Sequence, residues 1–192
     1  MDAACNVYIT GVSNNTLVTI KYDSSGNQLW TSNYSLGSFS SFFNTGPTIS
    51  IDASGNAYIT GGVNSGDMTT IKYDANGNQA WVRSFGNPGF PSEQGTKLIA
   101  DAAGNVYVTG FTLNFHAPAF VFPDATTIKY DAAGNQLWVA KYHHPAPFAS
   151  IPGFNAANGS DVAYDLSLAS DGSLYVLVES VVKNAAGLLE YG

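Results

Sequence analysis

Charge, sulfur and long apolar runs are all scarce in this chain of 192 residues. Only 11% of them are charged, 7 Lys and Arg stand against 14 Asp and Glu, and the lysines occur singly. That distribution excludes nucleic acid as a partner, because gripping phosphates takes a basic patch. A single cysteine, Cys5, excludes an internal disulfide and a cysteine metal cluster. The longest apolar stretches, such as Leu174–Val178, fall far short of the roughly 18 residues of a membrane span. No basic segment followed by an apolar run comes after Met1, so no signal peptide is read. Ala, Glu, Lys and Leu are too sparse for a helical bundle, and no strict glycine period marks a collagen. What is present is 45% apolar residues, 13% aromatics and 20 glycines. This is a β-rich globular composition, and a chain of this length buries about 70% of its unfolded surface without covalent staples.

The sequence repeats itself. Asp2-Ala-Ala-Cys-Asn-Val-Tyr-Ile-Thr-Gly11 returns as Asp52-Ala-Ser-Gly-Asn-Ala-Tyr-Ile-Thr-Gly61 and as Asp101-Ala-Ala-Gly-Asn-Val-Tyr-Val-Thr-Gly110, with a degraded copy from Ala169 to Val178. A second block alternates with it: Ile20-Lys-Tyr-Asp-Ser-Ser-Gly-Asn-Gln-Leu-Trp30, then Ile71 to Trp81, Ile128 to Trp138, and a faint copy from Val181 to Tyr191. Tyr8, Tyr58, Tyr107 and Tyr175 stand 50, 49 and 68 residues apart. A period near 50 with four short strands per unit predicts an all-β chain, a β-propeller of four blades. The blades fall at about 1–40, 41–88, 89–145 and 155–192.

In the third copy the strands, lettered from the innermost, are predicted at about Lys97–Asp101 (A), Asn105–Phe111 (B), Ala125–Tyr130 (C) and Gln136–Tyr142 (D). The phrase Asp-x-x-Gly-Asn makes the A–B and C–D links. Its Asp accepts backbone N–H groups, and its Gly supplies the positive φ of a tight hairpin. At these residues the chain resembles the bacterial seven-bladed β-propeller repeat family, on Asp-x-x-Gly-Asn-x-Tyr-x-Thr-Gly followed by Ile-Lys-Tyr-Asp-x-x-Gly-Asn-x-x-Trp. The likeness covers nearly the whole chain, although four copies are present and not seven. It implies the propeller fold and an exported bacterial parent protein, extracellular or at the cell surface, without assigning an activity. Few lysines among much Asn, Thr, Ser, Tyr and Gly point the same way.

The first blade has no strand A, and it carries Cys5 where the turn glycine belongs, a substitution that strains a left-handed position by about 1–2 kcal/mol. Without a strand A no tight turn is needed there. Strand D of the fourth blade is expected at Tyr191, which makes fifteen strands in all. Two closures are open: a ring of four blades, or two chains joined in a ring of about eight. The reading favours a homo-oligomer that completes the larger ring, because exposed strand edges recruit other strands.

Every A–B and C–D link is a repeated tight turn, so individual chemistry belongs to the B–C and D–A loops on the opposite face. Two are long, Thr112 to Asp124 and Tyr142 to about Ser160, and they hold all three histidines: His116, His143 and His144. These are the candidate catalytic residues. Asp124, Asp161, Asp165 and Lys97 are placed on the ligand-binding face. The favoured reading is a non-enzymatic binding or scaffold module for a protein or glycan ligand, needing no cofactor. The alternative is a hydrolase of esters or phosphoesters with a histidine or a divalent metal, calcium or zinc, on Asp161, Asp165 and His143 at the channel mouth. The repeated turn aspartates are read as caps, since calcium needs about 6–8 converging oxygens. Trp30, Trp81 and Trp138 are read as packing between blades, and Lys21, Lys72 and Lys129 as strand residues with solvated heads. No nucleophile elbow, zinc-protease helix or phosphate loop is present.

Overall fold

The structure, a computed structural model, describes residues 2–36, 46–63, 66–86, 93–116, 120–144, 159–183 and 189–191. It is all-β, with four antiparallel sheets in chain order. The first blade holds β1 (Val7–Ser13), β2 (Thr16–Tyr22) and β3 (Gln28–Ser35). The second holds β4 (Thr48–Ile51), β5 (Ala57–Val63), β6 (Asp67–Tyr73) and β7 (Gln79–Phe85). The third is β8 (Gln94–Ala100), β9 (Val106–His116), β10 (Phe120–Tyr130) and β11 (Gln136–Tyr142). The fourth is β12 (Gly159–Leu168), β13 (Leu174–Lys183) and β14 (Leu189–Tyr191). Four antiparallel sheets thus follow one another as the four repeats predicted, the first with three strands among the described residues.

Two expectations change. The segment from Thr112 to Asp124 is no open loop: Asp124 pairs with Thr112 and Phe120 with His116, so β9 and β10 run on as a hairpin. Pro123 sits within it because β11 reaches only as far as Ala125, which leaves Pro123 with β9 as its neighbour and no ladder bond to donate on the other side. In the fourth blade, β13 continues without a break through Val181–Lys183, and β14 pairs with it directly. Glu179-Ser180 supplies no turn residue, so strands B and C of the sequence reading fuse. Tyr191 then lies on the third strand of its sheet and not on a strand D, and fourteen strands are seen among the described residues.

Each hairpin phrase folds by one local device. In the Asp101 turn, Oδ1 accepts from the backbone N–H of Ala103 and of Asn105, both at 2.9 Å, and Oδ2 accepts from Asn105 Nδ2 at 2.8 Å. The same three bonds recur at Asp2, Asp23, Asp52, Asp74 and Asp131. In the A–B turns a tyrosine hydroxyl also donates to that Oδ2, from Tyr8 at 2.8 Å and from Tyr58 at 2.9 Å. The first turn forms as well, with Cys5 at φ 58, so the chain carries the strained cysteine in a closed turn. In the fourth copy Ala169 replaces the aspartate, yet its N–H still reaches Ser173 O at 2.8 Å, because Gly172 keeps φ at 86.

The core lies between the blades. One cluster joins Tyr8, Leu17 and Leu36 of the first blade to Ala57, Ile59, Ile71 and Tyr73 of the second. Another joins Tyr58, Met68 and Trp81 of the second to Leu98, Val106, Val108, Ile128 and Tyr130 of the third. A polar interlock rims each cluster. Trp30 Nε1 donates to Ala75 O at 3.0 Å and packs on Gly77, while Trp81 Nε1 donates to Ala132 O at 3.2 Å and packs on Gly134. Lys21 and Lys72 lie over the rings of Tyr8 and Tyr58, 4.9 and 5.2 Å from their centroids, and donate to the same two carbonyls. Trp30 and Trp81 are thus packing between blades, whereas Trp138 is 38% exposed and packs against Tyr107 of its own blade; the two lysine heads are engaged and not merely solvated.

Candidate functional site

The third interface, between the third and fourth blades, departs from the other two. Strand β12 packs against β8, β9 and β10, but β13 stands away from β10 and β11 and leaves a cleft of about 720 Å³. Ala125, Ala140 and Tyr142 form one wall, and Val176, Val178 and Ser180 the other. The repeat explains the opening. Ala125 occupies the position filled by Leu17 and Met68, the apolar plugs of the first two interfaces. Ala140 occupies the position of Ser32 and Arg83, whose side chains donate to the carbonyls of Gly77 and Gly134. At these two positions the third interface therefore has neither the apolar plug nor the polar donor of the other two.

At one end of the cleft, buried polar groups converge. His143 Nδ1 lies 3.2 Å from Asp124 Oδ1 and 3.4 Å from Asp161 Oδ2, with both carboxylates buried. Asp161 Oδ2 also accepts from the backbone N–H of His144 at 2.7 Å, and its Oδ1 accepts from Ser180 Oγ. The His144 ring faces Tyr142, with Nδ1 3.3 Å from the hydroxyl. Asp124 is held on β10, Asp161 on β12 and Ser180 on β13, so the cluster clasps the two blades together across the end of β11.

The other predicted site residues lie apart from it. Asp165, beyond a bulge between Ala163 and Asp165, pairs with Lys97 at 3.4 Å, and both are largely exposed. Asp161 and His143 therefore meet, but the three-residue set with Asp165 is not assembled. No group of three or more His, Cys, Asp or Glu among the described residues is arranged to hold a metal ion. The backbone of His116 ends β9 beside Phe120; its side chain lies outside the described residues, as do residues 145–158 of the long D–A connection.

The order of the contacts decides what the cluster can do. A serine nucleophile needs a histidine base beside it, with a carboxylate behind the histidine. Here the carboxylate of Asp161 lies between Ser180 and His143, and Ser180 spends its proton on that carboxylate. This is the wiring of a brace and gives the hydroxyl no imidazole to activate it.

Sequence reasoning missed a second such locus. Glu93, fully buried, comes within reach of Asp67 where the second blade meets the third: a Cβ on Gly86 would lie 2.7 Å from Asp67 Oδ1 and would overlap Glu93 Oε2. Glu93 Oε1 accepts from the N–H of Leu113 at 3.1 Å, and burial raises the carboxyl pKa of Asp67. When the copies are aligned, Asp67 falls on Asp124, Glu93 on Asp161 and Gly86 on His143. A paired-acid position thus recurs at successive interfaces, and only the later copy places an imidazole between the acids. The signal was in the alignment, outside the phrases that announce the repeat.

No family model matches the chain. An uncharacterized WD repeat-containing protein of Acanthamoeba polyphaga mimivirus is 32% identical over 139 residues, a match covering 64% of this chain and 9% of that protein. The chain thus spans under a tenth of the length of the curated relative it matches. With four sheets in series and that repeat likeness, the chain is an all-β repeat protein of propeller type.

Proposed function

We propose that this chain is a non-enzymatic binding and scaffold module of an exported bacterial protein, and that its ligand is a glycan seated at the cleft between the third and fourth blades. The observation that carries this reading is Ala125, where two other copies place Leu17 and Met68. The repeat keeps its hairpins intact on the opposite face and opens this one interface beside the variable connections. The volume of about 720 Å³ falls within the usual range for small-molecule pockets, roughly 300–1,000 Å³. Tyr142 offers a partly exposed aromatic face, with Thr127, His144 and Ser180 as polar neighbours. A sugar ring has matching faces, one apolar and one fringed with hydroxyls. A formal net charge of −7 favours neutral glycans over acidic ones.

The test is a glycan array followed by titration of the best binder against wild type and Ala125→Leu. The substitution refills the cleft with a side chain the repeat already uses at Leu17. Binding should weaken at least tenfold, about 1.4 kcal/mol, while thermal stability is kept or raised. An array without binders removes the glycan, and unchanged affinity in Ala125→Leu removes the cleft.

A further inference from the structure

The cleft between the third and fourth blades is a blade joint that has parted, so it is apolar on two facing sides. At the first two joints the outer strand contributes Tyr34 and Phe85, which pack against the clusters between blades. Tyr142 holds the same repeat position and is 47% exposed. The following blade contributes Ile59 and Val108 to those clusters, 1% and 0% exposed. Their counterpart in the fourth blade, Val176, is only half-buried, as is Val178 two residues on, and both line the cleft. An aromatic ring on one wall thus stands opposite aliphatic side chains on the other.

The polar groups of the cleft are turned out of it or set at its end. Lys141 donates from Nζ to Asn114 Oδ1 at 2.9 Å and lies over the ring of Phe85, toward the second blade and away from the fourth. Thr127 Oγ1 is 2.9 Å from Thr109 Oγ1, within its own blade. At the end beside Asp161, Ser180 commits its one hydroxyl proton to Oδ1 of that carboxylate. The other carboxylate oxygen holds the backbone N–H of His144 at 2.7 Å. Ser180 is therefore presented to the cleft as an acceptor, which suits a ligand hydroxyl that donates.

A ring held between two apolar walls must be apolar on both faces and polar round its rim. Among hexose pyranoses that is the all-equatorial glucose configuration: a β-linked glucose unit carries axial C–H bonds on both faces and its hydroxyls at the rim. Mannose and galactose each turn one axial hydroxyl onto a face, where an apolar wall strips its water and returns no hydrogen bond. We infer that the cleft selects β-linked chains of glucose configuration, with a ring between Tyr142 and the valine wall and a rim hydroxyl donating to Ser180. The selection rests on the glycan reading of the cleft and narrows it to one configuration.

Titration calorimetry of the full chain with β-linked tetrasaccharides of glucose, mannose and galactose, matched in linkage, tests this. The glucose chain should bind about tenfold tighter than either of the others. Mannose and galactose would lay their clear face on the aromatic ring, which turns the axial hydroxyl to the valines. The double variant Val176→Thr/Val178→Thr keeps the shape of that wall and gives the hydroxyl a partner, so the three affinities should converge. Tyr142→Ala should weaken the glucose chain about tenfold, since its ring is one of the two walls. Ser180→Ala should weaken all three chains alike, because the rim hydroxyl is common to them. Thermal melting verifies that the variants fold, and Tyr142→Ala, at an exposed ring, carries the test should the double variant melt early. Equal binding of the three chains, or a preference for mannose or galactose, would overturn the selection; the glycan cleft itself stands in that case if Ala125→Leu weakens all three. A glucose preference untouched by both the threonine pair and Tyr142→Ala would overturn it as well. An array without any binder removes the glycan site, and the selection with it.

Discussion

Gly134→Ala would show how much of the stability rests on the interlock between blades. Gly134 has φ 81 and is buried, and a Cβ there would stand 2.8 Å from Trp81 Cδ2 and 3.0 Å from Cγ. The left-handed backbone costs an alanine about 1–2 kcal/mol, offset by about 0.4–1 kcal/mol from its stiffer unfolded chain. Pushing the indole away adds an overpacking cost of about 1–3 kcal/mol. The expected loss is therefore roughly 2–4 kcal/mol, or about 5–15 °C in melting temperature for a chain of this size. Gly26→Ala is the matched control: φ is 84 in the same phrase, with nothing within 4 Å. It should cost about 1 kcal/mol, the backbone share alone. Urea unfolding followed by tryptophan fluorescence, at concentrations low enough for the midpoint not to depend on them, measures both. Equal losses in the two variants would refute the argument, because the conformational cost is common and only the contact with Trp81 differs.

Cys5→Gly should stabilise the chain by about 1 kcal/mol, since it relieves an L-residue at φ 58 in a turn that other copies build with glycine; a neutral or lower midpoint in the same assay would count against it. Acidification should unfold the protein through its turns. Asp2, Asp23, Asp52, Asp74, Asp101, Asp131 and Asp171 all have lowered pKa values, while Asp67 is raised. At Asp23, Asp74 and Asp131 the leading cause is the asparagine side-chain amide. At Asp2, Asp52 and Asp101 burial pulls upward, and hydrogen bonds from the following asparagine and neighbouring groups outweigh it. A carboxylate whose folded pKa is depressed contributes stability that is fully present above its unfolded value, about 3.9, and is lost as pH falls through the folded value. Melting temperature should therefore drop steeply below about pH 4, and Asp101→Asn should flatten that drop. A melting curve indifferent to pH in that range would contradict the capping role.

The hairpins were legible because their cause is local. Asp, Gly and Asn at fixed offsets set both the hydrogen bonds and the positive φ, and the order of blades follows from how often the phrase returns. The candidate site was legible only in part. Topology brought Asp124, His143 and Asp161 to one face, but whether they touch depends on how β12 leans across β8, β9 and β10. Asp165, four residues from Asp161, was drawn away by a bulge and by Lys97. Asp67 and Glu93 were overlooked because each reads as an ordinary polar residue at a strand end. Only the close approach that Gly86 permits brings them together. Thr112 to Asp124 was expected to be a loop, yet Pro123 is accommodated in a strand, because proline opposes pairing only where its missing N–H is needed, and that depends on which strand lies alongside.

The amino-acid sequence by itself determined the turn chemistry, the strand alternation and the number of repeated sheets. These arise from contacts between residues a few positions apart, which any copy of the phrase reproduces. Tertiary structure alone decided where the blades meet tightly and where they part. The first two interfaces close on Leu17 and Met68, and the third stays open over Ala125, although all three follow the same phrase. The physical reason is that packing depends on the summed volume of side chains from two blades some fifty residues apart, a quantity that no single strand or turn contains.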